Sequence, residues 1–371
     1  MTGSTLLGGR NVRVLRDGPV RIALHGHFST SDQDLLKIAS GVIQYQRTFF
    51  GERQDQPFLV NIAEVLSEPG VRGAIGGTGQ DDAYSIAMTE DVPRSQLLST
   101  FAHETFHSWT IGQTTREELW LHEGFTDYFA TATALRAGLM TLDEFVEVWN
   151  DRLLAYAASP ARTRGNADMT NRWVDPAAER MQYLRGALLA VVLDRRLRDA
   201  SAGRISLDSI IAEQHRRASI DPQASALDML RQLTASAGVD ISADLATHID
   251  KSQRIILSQG AFGPCFQVET RETPSYDRGF DMEATVKAAM IATGVDRAGP
   301  AYAAGLRNGM KLVRALEGRL GDSTQRAAWL VEVNGQQHIL RWLPAGAGRM
   351  TVQMLVRVPD ASADPIECSL N

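Results

Sequence analysis

His103-Glu104-Thr105-Phe106-His107, followed sixteen positions later by Glu123 within Trp120-Leu121-His122-Glu123-Gly124-Phe125-Thr126-Asp127-Tyr128, is the part of the chain whose reading decides the fold. On a helix, residues four apart share one face, so the imidazoles of His103 and His107 can reach a single zinc ion. Glu104 then sits beside the metal's open position. There it can take a proton from water polarised by the zinc and later pass it to a leaving amine. Glu123, in a second amphipathic pattern, completes a His₂Glu set with one Zn²⁺ per chain. Asp127, one helical turn further, is placed to accept the remaining N–H of a ligand imidazole. His122 rivals Glu123 as the third ligand, but adjacent helical residues point about 100° apart, so one of the two faces the metal. We take Glu123, because ligand and supporting carboxylate then lie on one face. His25, His27, His215, His248 and His338 have no ligand-like spacing.

Working outward, apolar residues recur at three-to-four spacing over Ser95 to Trp109, Glu117 to Ala137, Leu142 to Ala157, Pro176 to Asp199, Leu207 to Arg217 and Ala224 to Ser236. The middle of the chain is therefore expected to be helical. Before it, β-like runs at Val12 to Leu15, Val20 to His25, Pro57 to Ile62 and Tyr84 to Met88 surround one amphipathic stretch, Asp32 to Phe50, with Ser31 as N-cap and Gly51 as stop. That predicts a small mixed sheet with one helix. Gly70, Gly73, Gly76, Gly77 and Gly79 read as a flexible loop.

After about Ser258 the texture changes to Gly, Pro and β-branched residues. Strand-like runs fall at Thr285 to Ile291, Lys311 to Leu316, Ala328 to Val333, Gln337 to Trp342 and Met350 to Val358. The expected organisation is α+β: residues 1–94 the β-rich part of a catalytic domain, 95–257 its helical part with the zinc site, and 258–371 a second, mainly β domain.

Composition narrows the function classes. With 44% hydrophobic and 22% charged residues, a disordered, collagenous or coiled-coil chain is ruled out. Acidic side chains number 44 against 38 basic, a net charge of −6, with no Lys/Arg-rich run, so no nucleic-acid partner is expected. Cys265 and Cys368 can form at most one bridge. The start, MTGSTLLGGRNVRVLRDG, lacks the features of a signal peptide, and the longest aliphatic run, Ala187 to Leu193, is too short to span a bilayer. We expect no membrane span and a soluble protein, cytoplasmic, or periplasmic or exported if a signal was removed.

Taken together, HETFHSW, ELWLHEGFTDYFA, the segment Tyr183-Leu184-Arg185-Gly186-Ala187-Leu188, and a tail with Gly299-Pro300-Ala301, Ala304-Gly305-Leu306 and Val333-Asn334-Gly335 resemble the glycyl aminopeptidase family of gluzincin zinc metallopeptidases. The resemblance implies a thermolysin-like catalytic domain followed by a PDZ-like domain. It implies His103, His107 and Glu123 as zinc ligands and Glu104 as general base. It also assigns Tyr183 to the phenol that stabilises the oxyanion; from the residues alone Tyr183 reads as a helix-face aromatic. Barely twenty residues precede the catalytic sheet, which reads as a member reduced at the N-terminus or a fragment. Where the family carries a glutamate for the substrate's free amine this chain has Gly79, and Asp81 and Asp82 are the nearest replacements. The expected function is zinc-dependent hydrolysis of peptide bonds in a peptide or protein substrate, with an aminopeptidase as one form. The alternative is a binding module, whose PDZ-like part takes a peptide ligand by strand addition while the zinc site is vestigial.

Overall fold

The computed structural model of the chain describes residues 10–65, 73–169 and 175–359, and residues 361, 362, 364, 367 and 368 near the C-terminus. Arg13–Asp17 (β1), Val20–His25 (β2), Phe58–Glu64 (β3), Ile75–Gln80 (β4) and Ala83–Met88 (β5) form one sheet in the order β1-β2-β3-β5-β4. β2, β3 and β5 run parallel, while β1 and β4 are antiparallel additions at the two edges. The right-handed crossover between parallel neighbours is the expected use of a helix here, and Asp32–Phe50 (α1) supplies the segment between β2 and β3. Its ends follow from local chemistry. The Ser31 hydroxyl accepts from the Asp34 amide at 3.1 Å, and Gly51 closes the helix at φ 71°.

One expectation in this half meets a correction. The glycine-rich loop is a strand over Ile75–Gln80, because every residue in it pairs with β5; Gly70 lies outside the described residues.

Helices Arg94–Phe106 (α2), Leu119–Arg136 (α3), Leu142–Ala158 (α4), Pro176–Ser201 (α5), Leu207–Ile220 (α6) and Ala226–Ser236 (α7) follow the sheet. One large apolar core joins them to it, running from Val20 and Ile22 through Phe101, Phe125 and Trp149 to Leu188. α3 and α5 approach each other at Gly124 and Gly186. A Cβ on Gly124 would lie 2.4 Å from the Gly186 Cα, and one on Gly186 only 1.8 Å from the Trp120 carbonyl oxygen. Only residues without a side chain allow this contact.

In the C-terminal part, Phe266–Tyr276 (β6) pairs antiparallel with Ala345–Arg357 (β10). Between them in sequence, Lys311–Glu317 (β7), Ala327–Val333 (β8) and Gln336–Trp342 (β9) make an antiparallel sheet in the order β7-β8-β9. A second cluster of buried residues, including Phe280, Leu306, Trp329 and Trp342, belongs to that sheet. The β6–β10 ribbon instead packs on α4. Phe266 and Leu355 belong to the large core, and the Asn150 amide both donates to the Leu355 carbonyl at 3.0 Å and accepts from its N–H at 2.7 Å.

The run Thr285 to Ile291 is not a strand. Met282–Lys287 is a short helix capped by Asp281, whose carboxylate accepts from the Ala284 amide, and Ile291 makes only an isolated bridge to Lys311. β6 was not anticipated. Its sequence FQVETRETPSY contains Pro274 and has two buried side chains, so it lacks the alternation that marks a half-buried strand. Cys265 and Cys368 form one disulfide. Among the described residues, no helix is long and apolar enough to cross a membrane.

Candidate metal centre

α2 ends where the chemistry begins. His103 and Glu104 lie in its last turn, and His107 follows as the C-cap with helical backbone angles, so the four-residue spacing still sets both imidazoles on one side. The end of the helix is anchored from behind. The Gln46 side chain of α1 donates to the Ala102 carbonyl at 2.9 Å and to the Thr133 hydroxyl of α3 at 3.0 Å. Across from it, α3 presents Glu123 and Asp127.

His103, His107 and Glu123 come together, with one donor atom from each within 4.8 Å of the others. Nε2 of His103 lies 3.0 Å from Nε2 of His107, and Oε2 of Glu123 lies 3.1 Å and 3.4 Å from those nitrogens. Two imidazoles and a carboxylate, with His103 and Glu123 buried and His107 half-buried, form a donor set suited to zinc, and their mutual separations are those one ion can bridge. Asp127 sits against the far side of His103, its Oδ1 2.9 Å from Nδ1. That contact directs the His103 N–H to the carboxylate and leaves Nε2 facing Glu123 and His107.

Electrostatics follow the crowding. Burial alone would lower His103, but Asp127 and Glu123 raise it to about 10. Burial lowers His107. Glu123 would be raised by burial, yet hydrogen bonds from His103, His107 and His122 hold it well below the carboxylate range. Glu104, by contrast, is pushed up to about 7, chiefly by burial and against the pull of His103, with the Glu123 charge adding to the rise. A carboxylate raised toward neutrality is suited to exchanging protons.

β4 passes directly over this pair of elements. A Cβ on Gly77 would lie 2.5 Å from Glu104 Cγ, and one on Gly79 would lie 2.6 Å from the Glu104 carbonyl oxygen and 3.0 Å from His107 Cβ. The glycines that looked like loop residues are thus what lets an edge strand run against the HExxH turn. The same contact leaves no room for a carboxylate at position 79. Asp82 faces Arg47 at 3.4 Å, and Asp81 stands in the β4–β5 turn at φ 40°.

Tyr183, from α5, reaches the centre through the close α3–α5 contact. Its ring stacks on His103 at 6.0 Å between centroids and 17° between planes. Burial, with the charges of Glu123 and Asp127, holds its phenol above its ordinary range, so it remains a neutral donor. His122 lies at the rim. Its ring stacks on His107 at 4.7 Å, and its Nδ1 is 3.2 Å from the second Glu123 oxygen.

One participant was missed from the sequence. Arg152 of α4 is buried behind Asp127, with Nη2 3.4 Å from the carboxylate, and donates to the hydroxyls of Thr131 and Ser99. A signal existed: Arg152 lies in the stripe Phe145, Trp149, Arg152, Tyr156, where a charge on an otherwise apolar helix face needs a buried partner.

The fold is shared with a crystallised aminopeptidase N family protein from Idiomarina loihiensis, at a TM-score of 0.64 and 16% identity over 97% of this chain and 70% of that one. The M1 zinc metallopeptidase of Deinococcus radiodurans, in a form bound to a Tyr-Ser-Ala substrate, also matches, at a TM-score of 0.36 and 16% identity over 66% of this chain and 52% of that one. In sequence, the family of the M61 glycyl aminopeptidases matches residues 96–185, the segment from α2 into α5 that carries His103, Glu104, His107, Glu123, Asp127 and Tyr183. No curated protein matches the chain.

Proposed function

We propose that the protein is a zinc-dependent peptidase, with His103, His107 and Glu123 as ligands, Glu104 as general base and Tyr183 as oxyanion donor. The observation that carries this reading is the convergence of the three donor atoms within 4.8 Å, beside a buried carboxylate raised to about 7. The family match over 96–185 and the shared fold support a peptidase.

A zinc ion, when bound, supplies Lewis acidity and lowers the pKa of water. Glu104 accepts a proton from the attacking water and returns it to the leaving amine. Tyr183 keeps its own proton and donates a hydrogen bond to the oxyanion that develops on the scissile carbonyl. Asp127 holds His103 in one tautomer. Among the described residues β4 ends the sheet order, and such an edge supports the addition of an extended peptide as a further strand. Such backbone pairing orients a chain without reading its side chains.

Aminopeptidase action needs an anion for the free amine, and position 79 cannot carry one while β4 lies against α2. The reading therefore favours cleavage within chains. The Cys265–Cys368 bridge supports an oxidising compartment. Among the described residues β9 ends its sheet order, and that outer strand supports a peptide-binding, PDZ-like role for this part.

Metal analysis with digestion of a peptide library, read by mass spectrometry, tests zinc and cleavage together. We expect about one zinc per chain, lost in His103→Ala. Glu104→Gln should keep zinc and lose roughly 10²–10⁴-fold in turnover. Full turnover in that variant, or full zinc in His103→Ala, would refute the assignment.

A further inference from the structure

α5 carries a second group that the metal centre does not use. Arg185, two positions after Tyr183, is only 1% exposed and faces another side of the helix. Its Nη2 donates to the Arg162 and Arg164 carbonyls at 3.1 and 2.9 Å, in the segment between α4 and α5. Nη1 is buried with no hydrogen-bond partner, and among the described residues no carboxylate pairs with this guanidinium.

Two more donors belong to the same neighbourhood. Tyr156, near the end of α4 and 3% exposed, accepts from the Ile255 amide at 3.0 Å, and its own O–H proton has no acceptor among the described residues. Arg254, next to that amide, donates through Nη2 to the Thr351 carbonyl of β10 and leaves a buried Nε unpartnered. The Ser252 hydroxyl donates to the Thr163 carbonyl at 2.7 Å, which ties residues 252–255 to the turn that Arg185 holds. Burial lowers both Arg185 and Arg254; the Arg162 charge adds to that fall in each, and the Tyr156 phenol opposes it.

Arginine stays protonated, so burying Arg185 leaves a positive charge that needs an anion beside it. The neighbouring N–H and O–H groups cannot serve, because each is itself a donor, and an orphaned buried donor is costly in its own right. An acceptor with a negative charge answers both needs at once. A metal cation or an apolar group answers neither. The acceptor has to be small, since Arg185 and Tyr156 are closed to solvent and the carboxylate of a peptide does not reach them.

We infer that Arg185, Tyr156 and Arg254 form a binding site for one small monovalent anion of the size of chloride. Bound there, the anion cross-links α4, α5, the turn at 162–164 and residues 252–255, and so stabilises the packing of the helical part against β10. The inference does not depend on the peptidase reading, because none of these donors belongs to the metal centre.

Two measurements on the full chain test it. In the first, protein dialysed into sodium gluconate is titrated with sodium chloride or bromide at constant ionic strength while Tm is read. Both halides should raise Tm along a saturating curve, by about 2–4 °C once the anion is about tenfold above its dissociation constant, and gluconate, too large for a closed site, should not. Tyr156→Phe and Arg254→Met each remove one donor and keep the Arg185 charge, so they serve even if Arg185→Met does not fold. Each should weaken the apparent halide affinity by about tenfold. A parent whose Tm does not distinguish halide from gluconate, or a halide response of equal strength in both variants, would overturn the site. In the second, bromide is located by its anomalous scattering in crystals of the parent. A peak within hydrogen-bond reach of Arg185 Nη1 is expected, and peaks only elsewhere on the molecule would refute the assignment.

Discussion

Gly77 of β4 and Glu104 of α2 are in such close contact that a single methyl group on Gly77 would sit 2.5 Å from Glu104 Cγ and 2.8 Å from its Oε1. The edge strand and the candidate base occupy adjoining space, and glycine is what makes room for the carboxylate.

Gly77→Ala should therefore move the carboxylate and leave the fold. The obstructed atoms are at the free end of a side chain, which can swing aside. We expect zinc content and Tm near those of the parent and a loss of about 10²-fold in kcat, the scale of a displacement of about 1 Å at a reacting group. Gly79→Ala meets the Glu104 carbonyl oxygen, which is backbone and cannot swing. It should cost about 1–3 kcal/mol of stability, as overpacking does. Equal Tm values for the two variants would contradict the distinction.

Arg152 should matter to metal affinity through Asp127 and His103. Removing the guanidinium in Arg152→Met leaves the Asp127 carboxylate buried without its cation, and the aspartate then holds His103 less firmly. Zinc affinity, read by competition with a chromogenic chelator, is expected to fall about 10–100-fold, with Arg152→Lys intermediate. An unchanged affinity in a folded Arg152→Met protein would show that the contact is structural only.

Tyr183→Phe removes one hydrogen-bond donor and little volume. If the phenol meets the oxyanion, kcat should drop by about 10²–10³-fold with zinc content and KM nearly constant. A change confined to KM would move Tyr183 from transition-state stabilisation to substrate packing.

Glu144, at the start of α4, gives a pH test away from the metal centre. Burial alone would raise it, but the Thr141 amide at 2.8 Å and Arg94 at 2.5 Å hold its carboxyl below the usual range. A carboxyl lowered in the folded state adds stability that is complete above its unfolded value of about 4.3 and fades as pH falls through the folded value. Glu144→Gln should thus destabilise the protein at about pH 7 and make little difference near pH 2, a contrast that denaturant titrations at the two pH values measure. Equal losses at both would exclude the linkage.

The elements that depend on neighbours in sequence were legible. Val20 to His25 and Asp32 to Phe50 stand where the patterns and the Ser31 and Gly51 caps put them. The strand at Ile75–Gln80 was not legible, because glycine has no side chain through which alternation can show and its pairing with β5 supplies the order. Thr285 to Ile291 misled for the opposite reason: β-branched residues suggested a strand, and the Asp281 cap started a helix. Thr110, Ile111 and Gly112 carried no motif, although they line a pocket beside His107.

What the sequence by itself determined is whatever one helix's geometry enforces: that His103 and His107 share a face, and that Glu123 and Asp127 share another. Which helix meets which was decided only in the tertiary structure. The Gly124–Gly186 contact brings Tyr183 over His103, the stripe of α4 brings Arg152 to Asp127, and Gly77 and Gly79 admit β4 to Glu104. The physical reason is that a helical repeat fixes directions within about one turn, whereas these contacts join segments far apart in the chain and form only when the shared core of sheet and helices closes around them.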